Sequence, residues 1–213
     1  MPKNIRRNKP VAATLYLIFT LCIIFNVACS GSDSEPTISI GQSRIKLIPF
    51  PYPGFTQVGE STEAYKRVQE GLLEGDSVLA LYINADAWNN LESTTDETAP
   101  ILMQGASIKA SRKKVDHDKT INLAQFDEFA KRVIPGLSAK GFEIIETSAR
   151  YFTSISIDPL RDGLDLKGVT TFILVQGKIL ELDAFCLSGS PVEDQLQSLS
   201  LAWRDAYLEQ TKP

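Results

Sequence analysis

Hydrophobic residues change their spacing several times along the chain, and each change marks an element. Val11 to Ala28 is an apolar run broken only by Thr14, Thr20 and Asn26, with no charge in it. Ile45-Lys46-Leu47-Ile48 alternates briefly before Pro49, Pro51 and Pro53, which predicts an edge strand entering a Pro-Gly corner. From Ser61 to Leu73, Ala64, Tyr65, Val68, Leu72 and Leu73 recur at helical spacing, and Gly75 follows as a stop. Ser77 to Ile83 is a continuous apolar run of strand length, suited to a central strand. A short helical turn is expected over Ala85 to Leu91, and polar loop over Glu92 to Ala99.

Further on, Met103 to Lys113 reads as a strand with Ala106, Ile108 and Ala110 on one face. Asn122-Leu123-Ala124-Gln125 has the spacing of a capping box. It opens a helix whose Leu123, Phe126, Phe129, Ala130 and Val133 share a face, with an end expected near Pro135-Gly136. Phe142 to Ile157 fits two short strands or one long bent one, and Asp158 to Gly168 a loop. Val169 to Val175 and Lys178 to Cys186 form a hairpin through Gln176-Gly177, where glycine can supply a positive φ. Ser190-Pro191-Val192-Glu193 then has the order of an N-cap, a first-turn proline and a matching Glu. The helix it opens should run to about Gln210, with Val192, Leu196, Leu199, Trp203 and Tyr207 on one stripe.

A stripe of that kind must cover a sheet. Hairpins with helices packed on them predict an α+β fold: one domain over 38–213, a mostly antiparallel sheet covered by two or three helices, and an amphipathic C-terminal helix. Three features resemble the PsbP-like fold, found in photosystem extrinsic proteins and some small bacterial envelope lipoproteins. They are the opening Ile48-Pro49-Phe50-Pro51-Tyr52-Pro53-Gly54-Phe55, the helix carrying Phe126-Asp127-Glu128-Phe129, and the closing hairpin through Gln176-Gly177-Lys178 into the last helix. The resemblance implies a binding or assembly factor more readily than an enzyme.

The first 28 residues are a different material. Lys3, Arg6, Arg7 and Lys9 make a basic start, and the apolar run follows, as in a secretory signal. Asn26-Val27-Ala28-Cys29 resembles the lipobox cut by bacterial lipoprotein signal peptidase, with Asn26 where the motif has a large aliphatic residue. That resemblance implies that Cys29 is lipidated and becomes the first residue of the mature protein. Residues 29–37, small and polar with three serines among them, have the composition of a flexible tether. With Ser30 after the cysteine, the family's sorting pattern implies the outer membrane, facing the periplasm. Two other outcomes fit the same residues: an uncleaved signal anchor in the inner membrane, since 18 apolar residues approach a bilayer span, and release by ordinary cleavage among Ala28-Cys29-Ser30.

Removing the segment changes the charge. The whole chain is −4; without the four basic residues of the signal, 18 basic residues face 26 acidic ones, a net −8. Such a chain is poorly suited to nucleic acid, which needs its phosphates neutralised by Lys and Arg. The mature domain keeps Cys186 as its one cysteine besides Cys29, so it can make no internal bridge to another strand or helix, and the thiol is expected in the core.

A search for chemistry is less productive. His117, the single histidine, lies in Asp116-His117-Asp118 without ligands at metal spacing and reads as a solvated turn. Cys186 shares an alternating strand with Leu180, Leu182 and Ala184, a core pattern rather than a nucleophile's. Asp158, Asp162 and Asp165 do not match a calcium loop, and Arg161 lies among them. Gly71, Gly75 and Gly105 read as separate turn or bulge glycines, and Ser111-Arg112-Lys113-Lys114 as a solvated strand end. Phe50, Tyr52 and Phe55 interleave with prolines and are expected to pack over a sheet edge. No catalytic set, metal site or cofactor site emerges. The reading is a lipid-anchored envelope module, held to the membrane through Cys29, that binds an envelope protein partner. The alternatives are an envelope hydrolase using an unidentified carboxylate pair and a mainly structural lipoprotein.

Overall fold

A computed structural model describes residues 36–70, 76–84, 104–111, 118–159 and 165–210. The expected elements at Ala85–Leu91 and 92–99 lie outside the described residues, as do the signal segment, most of the tether and Cys29.

The first strands, β1 (Thr37–Ile40) and β2 (Ser43–Lys46), pair as a small antiparallel ribbon. The short β3 (Phe55–Gln57) and helix α1 (Glu63–Glu70) follow, then β4 (Asp76–Asn84) and β5 (Gln104–Ser111). Helix α2 (Leu123–Ala139) precedes β6 (Glu143–Thr147), β7 (Tyr151–Pro159), β8 (Asp165–Val175) and β9 (Lys178–Leu187). A 3₁₀ turn leads into α3 (Leu196–Glu209). Among the described residues, seven strands form one antiparallel sheet in the order β3-β4-β5-β9-β8-β7-β6. This is the expected α+β architecture, closed by a C-terminal helix. Among the described residues, no helix is long and apolar enough to cross a membrane.

Alternation gives the sheet two faces with different fates. On the first, Ala106 and Ile108 of β5 and Leu180, Leu182, Ala184 and Cys186 of β9 are fully buried. They meet Val192, which precedes the 3₁₀ turn, and the stripe of α3, in which Leu196, Trp203 and Tyr207 are buried as expected and Leu199 is partly buried. Ile45, Leu47 and Phe50 fill the remaining side of that core. The β8–β9 hairpin turns through Gln176 and Gly177, with φ of 48° and 75°, as a two-residue connection between right-twisted strands requires.

Several details depart from expectation. α2 runs through Pro135 and Gly136 to Ala139, because both residues face solvent while Ile134 and Leu137 still pack on the sheet. The helix ends only where Lys140 and Phe142 N–H both turn back to the Leu137 carbonyl. Leu123, expected on the buried face, is 48% exposed at the first position of the helix. The loop expected at Asp158 to Gly168 is largely ladder: Asp158 pairs with Leu166 and Pro159 with Asp165. Ser190 does not cap the last helix. Its neighbour Gly189 gives its N–H to Glu193, which also holds Lys167, and a 3₁₀ turn separates this junction from α3.

Candidate functional site

The second face of the sheet is covered in two places. α1 sets Ala64 and Tyr65 over Val78, Leu81 and Ile83 of β4, and the Tyr65 hydroxyl donates to the Val78 carbonyl at 2.5 Å. α2 sets Phe126 and Phe129 over Phe152, Phe172 and Leu174, with the Phe152 and Phe172 rings stacked 5.0 Å apart. Between these two patches the rows of side chains turn polar.

Register defines those rows. Lys109 of β5 is opposite Glu181 of β9, which is opposite Phe172 of β8. One row along, Ser107 faces Asp183, and Asp183 faces Thr170. Lys109 Nζ lies 3.0 Å from Glu181 and 2.5 Å from Asp183 Oδ2. Thr170 donates its hydroxyl to Asp183 Oδ1 at 2.7 Å. The next row is made tight by glycine: a Cβ on Gly105 would lie 2.8 Å from the Phe185 ring. Gly105 is therefore a close-approach position within a strand, not a turn or bulge.

Burial governs the charge of this cluster. It pushes the Glu181 carboxyl up to about 8, Asp183 beside it adds to the rise, and Lys109 offsets only part of it. Burial alone would lower the Lys109 pKa, but Asp183 and Glu181 more than reverse that and hold the ammonium firmly protonated. One ammonium, that of Lys109, is thus shared by two carboxyl groups, with the Glu181 group held above the ordinary carboxylate range.

Glu181 and Lys109 form one side of a cleft of about 720 Å³, within the range of small-ligand sites. Its apolar wall is Ile121, Phe129, Phe172 and Ile179. Asn122 and Gln125, locked in the expected capping box with bonds of 2.9 and 3.0 Å, bring the start of α2 to its edge. Lys119 and Arg132 are exposed at the rim, and Lys178 is 4% exposed with its ammonium donating to the Lys119 carbonyl at 2.8 Å. Asp76 and Glu128 are the other acids there, and Lys131 lies 3.2 Å from Glu128.

No protein-family model and no curated protein matches the chain. The site must be read from its own residues.

The residues singled out by sequence mostly lie elsewhere. Cys186 is a free, fully buried thiol in the first-face core, its pKa raised by that burial. Cys29 and His117 are outside the described residues, as are Asp162 and 112–114. Asp158 and Asp165 occupy successive rungs of one ladder, so alternation sends their side chains to opposite faces. Phe50, Tyr52 and Phe55 pack as expected: Phe50 stacks on Phe55 at 5.3 Å and meets Trp203 edge-on at 5.2 Å. Sequence reasoning missed Lys109, Glu181 and Asp183. The available signal was the outward set of β9, where Glu181 and Asp183 alternate with a buried apolar set; their cation could be named only with the register of β5.

Proposed function

We propose that this chain is a lipid-anchored cell-envelope protein whose domain is a binding or assembly module working without catalysis. The anchor is Cys29, which resembles a lipobox cysteine; the membrane is the outer one, facing the periplasm, with an inner-membrane signal anchor as the alternative. The partner is an envelope protein, since a chain of acidic balance is poorly suited to nucleic acid. The observation that carries the binding reading is the cleft beside α2. It joins an aromatic and aliphatic wall to a rim of long charged side chains, the mixture expected of a recognition site. Its acids are engaged internally: Lys109 holds both Glu181 and Asp183, and Thr170 occupies the other oxygen of Asp183. The resemblance to the PsbP-like fold in the Ile48–Phe55 opening and the closing hairpin supports the same reading.

One observation favours the hydrolase as a second reading. Glu181, with its pKa lifted to about 8 by burial and by Asp183 beside it, has the weakened acidity of a general acid.

The test is site-specific photo-cross-linking in intact cells. A photoreactive residue at Arg132, on the cleft rim, should capture one envelope protein that the same residue at Asp205 on α3 does not. Identical capture from both sites would overturn the binding reading. Turnover of a cell-wall or glycoside substrate by the purified protein, lost in Glu181→Gln, would replace it with the hydrolase. For the anchor, Cys29→Ala should abolish metabolic labelling with palmitate; undiminished labelling would sink the lipobox assignment.

A further inference from the structure

Hydrogen bonding inside the capping box decides what the cleft has to offer. A carboxamide carries an oxygen that accepts and an NH₂ group that donates. In the box Asn122 Oδ1 accepts from the Gln125 N–H and Gln125 Oε1 accepts from the Asn122 N–H, so both oxygens are engaged and both side chains are fixed. Their NH₂ groups have no partner among the described residues, and both side chains line the cleft. The wall beside them, Phe129, Phe172 and Ile179, is only partly buried. Charge does not select an ion there. Lys109 is shared by Glu181 and Asp183, and Lys131 by Asp127 and Glu128. By formal charge each of these clusters has one negative charge in surplus, and together they offset the excess of Lys119, Arg132 and Lys178 over Asp76.

We propose that the cleft reads an uncharged peptide segment of the protein partner, its backbone carbonyls accepting from the Asn122 and Gln125 NH₂ groups and an apolar side chain covering Phe129, Phe172 and Ile179. The inference rests on the binding reading above and specifies what the partner presents. A peptide carbonyl only accepts, which matches two fixed groups that only donate; a saccharide hydroxyl must also find an acceptor for its proton. The apolar side chain contributes in proportion to the wall it removes from water. A neutral segment enters without stripping water from an ion, a cost that balanced walls would not repay.

The test uses the full chain in isolated envelopes, with the photoreactive residue at Arg132 and the cross-linked partner peptide sequenced by mass spectrometry. That peptide should carry an apolar residue without acidic or basic neighbours. N-acetyl-leucyl-leucine N-methylamide in excess should suppress capture, and the corresponding glutamyl-glutamate peptide should not. Two variants isolate the donors. Asn122→Asp and Gln125→Glu keep the oxygen that each gives to the box, since Asp and Glu serve the same cap, and replace the NH₂. Each should weaken capture about tenfold through the lost bond, with thermal unfolding as in the parent. Leu123→Glu, at an exposed position, adds the same charge to the same turn without removing a donor, and its capture should equal the parent's. Full capture in both carboxylate variants, a loss in Leu123→Glu as large as theirs, or equal suppression by the two blocked peptides would overturn the proposal. So would a cross-linked segment rich in charge, or adducts on a glycan in place of a peptide. Specific protein capture from Arg132 that fails these checks sinks this inference alone; capture no different from that at Asp205 sinks the binding reading beneath it.

Discussion

Trp203 donates its indole N–H to the Ile48 carbonyl at 2.8 Å, and one turn later Tyr207 takes the Ile48 N–H at 2.9 Å. Both polar groups of one residue in the proline-rich opening are therefore satisfied by the last helix, across more than 150 positions of chain. Neither bond faces bulk water, since Trp203 and Tyr207 are each 1% exposed or less. Tyr207→Phe removes the partner of a sequestered backbone N–H and should destabilise the fold by about 1–3 kcal/mol, read as a lower urea midpoint. An unchanged midpoint would show that the Ile48 bond contributes nothing.

The same chemical change has the opposite expected sign one residue away from Trp203 in space. Tyr82 meets Trp203 at 6.0 Å, and its hydroxyl is buried with no hydrogen-bond partner among the described residues. Burial raises its pKa to about 12. Tyr82→Phe removes an unpaired polar atom and should be neutral or stabilise by up to about 1 kcal/mol. A loss as large as that of Tyr207→Phe would contradict this account.

Glu181 ties stability to pH. Its folded pKa, about 8, is above the ordinary carboxylate value of 4.5, so between those pH values the folded chain binds the proton more tightly than the unfolded one. Its contribution to stability is fully present below about 4.5 and is lost as pH rises through 8. Glu181→Gln keeps an acceptor for Lys109 without the titration. Its stability should match the parent near pH 4 and exceed it at pH 9, with the gap opening between those values. Parallel curves for the two proteins across that range would refute the buried-carboxyl explanation.

Gly105 lies under the Phe185 ring, and the Tyr82 carbonyl is 3.1 Å from where a Cβ would be. Gly105→Ala must shift a ring and a strand at once, at a cost of about 1–3 kcal/mol. Thermal unfolding provides the measurement, and a Tm equal to the parent's would mean that β5 has slack the packing does not suggest.

Much of the architecture was legible because its causes are local. The Asn122–Gln125 box, the Gln176-Gly177 turn and the alternating set from Leu180 to Cys186 each depend on residues a few positions apart. The first-face core followed from the stripe through Leu196, Trp203 and Tyr207. The departures are all tertiary. Pro135 is carried inside a helix because its exposed side tolerates a missing donor while Leu137 packs. β3 has only three residues and exists because Phe55, Thr56 and Gln57 dock on β4. The candidate site was hidden for the same reason: Lys109 and Glu181 are 72 positions apart, and only the β5–β9 register makes them neighbours.

The two ends of the large sheet carry a consequence for how another protein could approach. At one end stands β3, three residues long; at the other, β6 breaks its register with β7 between Ile144 and Glu146. Neither offers the long, flat row of free amides on which an incoming strand could zip. Recognition by backbone addition is therefore disfavoured at both borders, and so is stacking into fibrils. A visitor to this domain has to be read through side chains, and its sequence should matter more than its ability to extend.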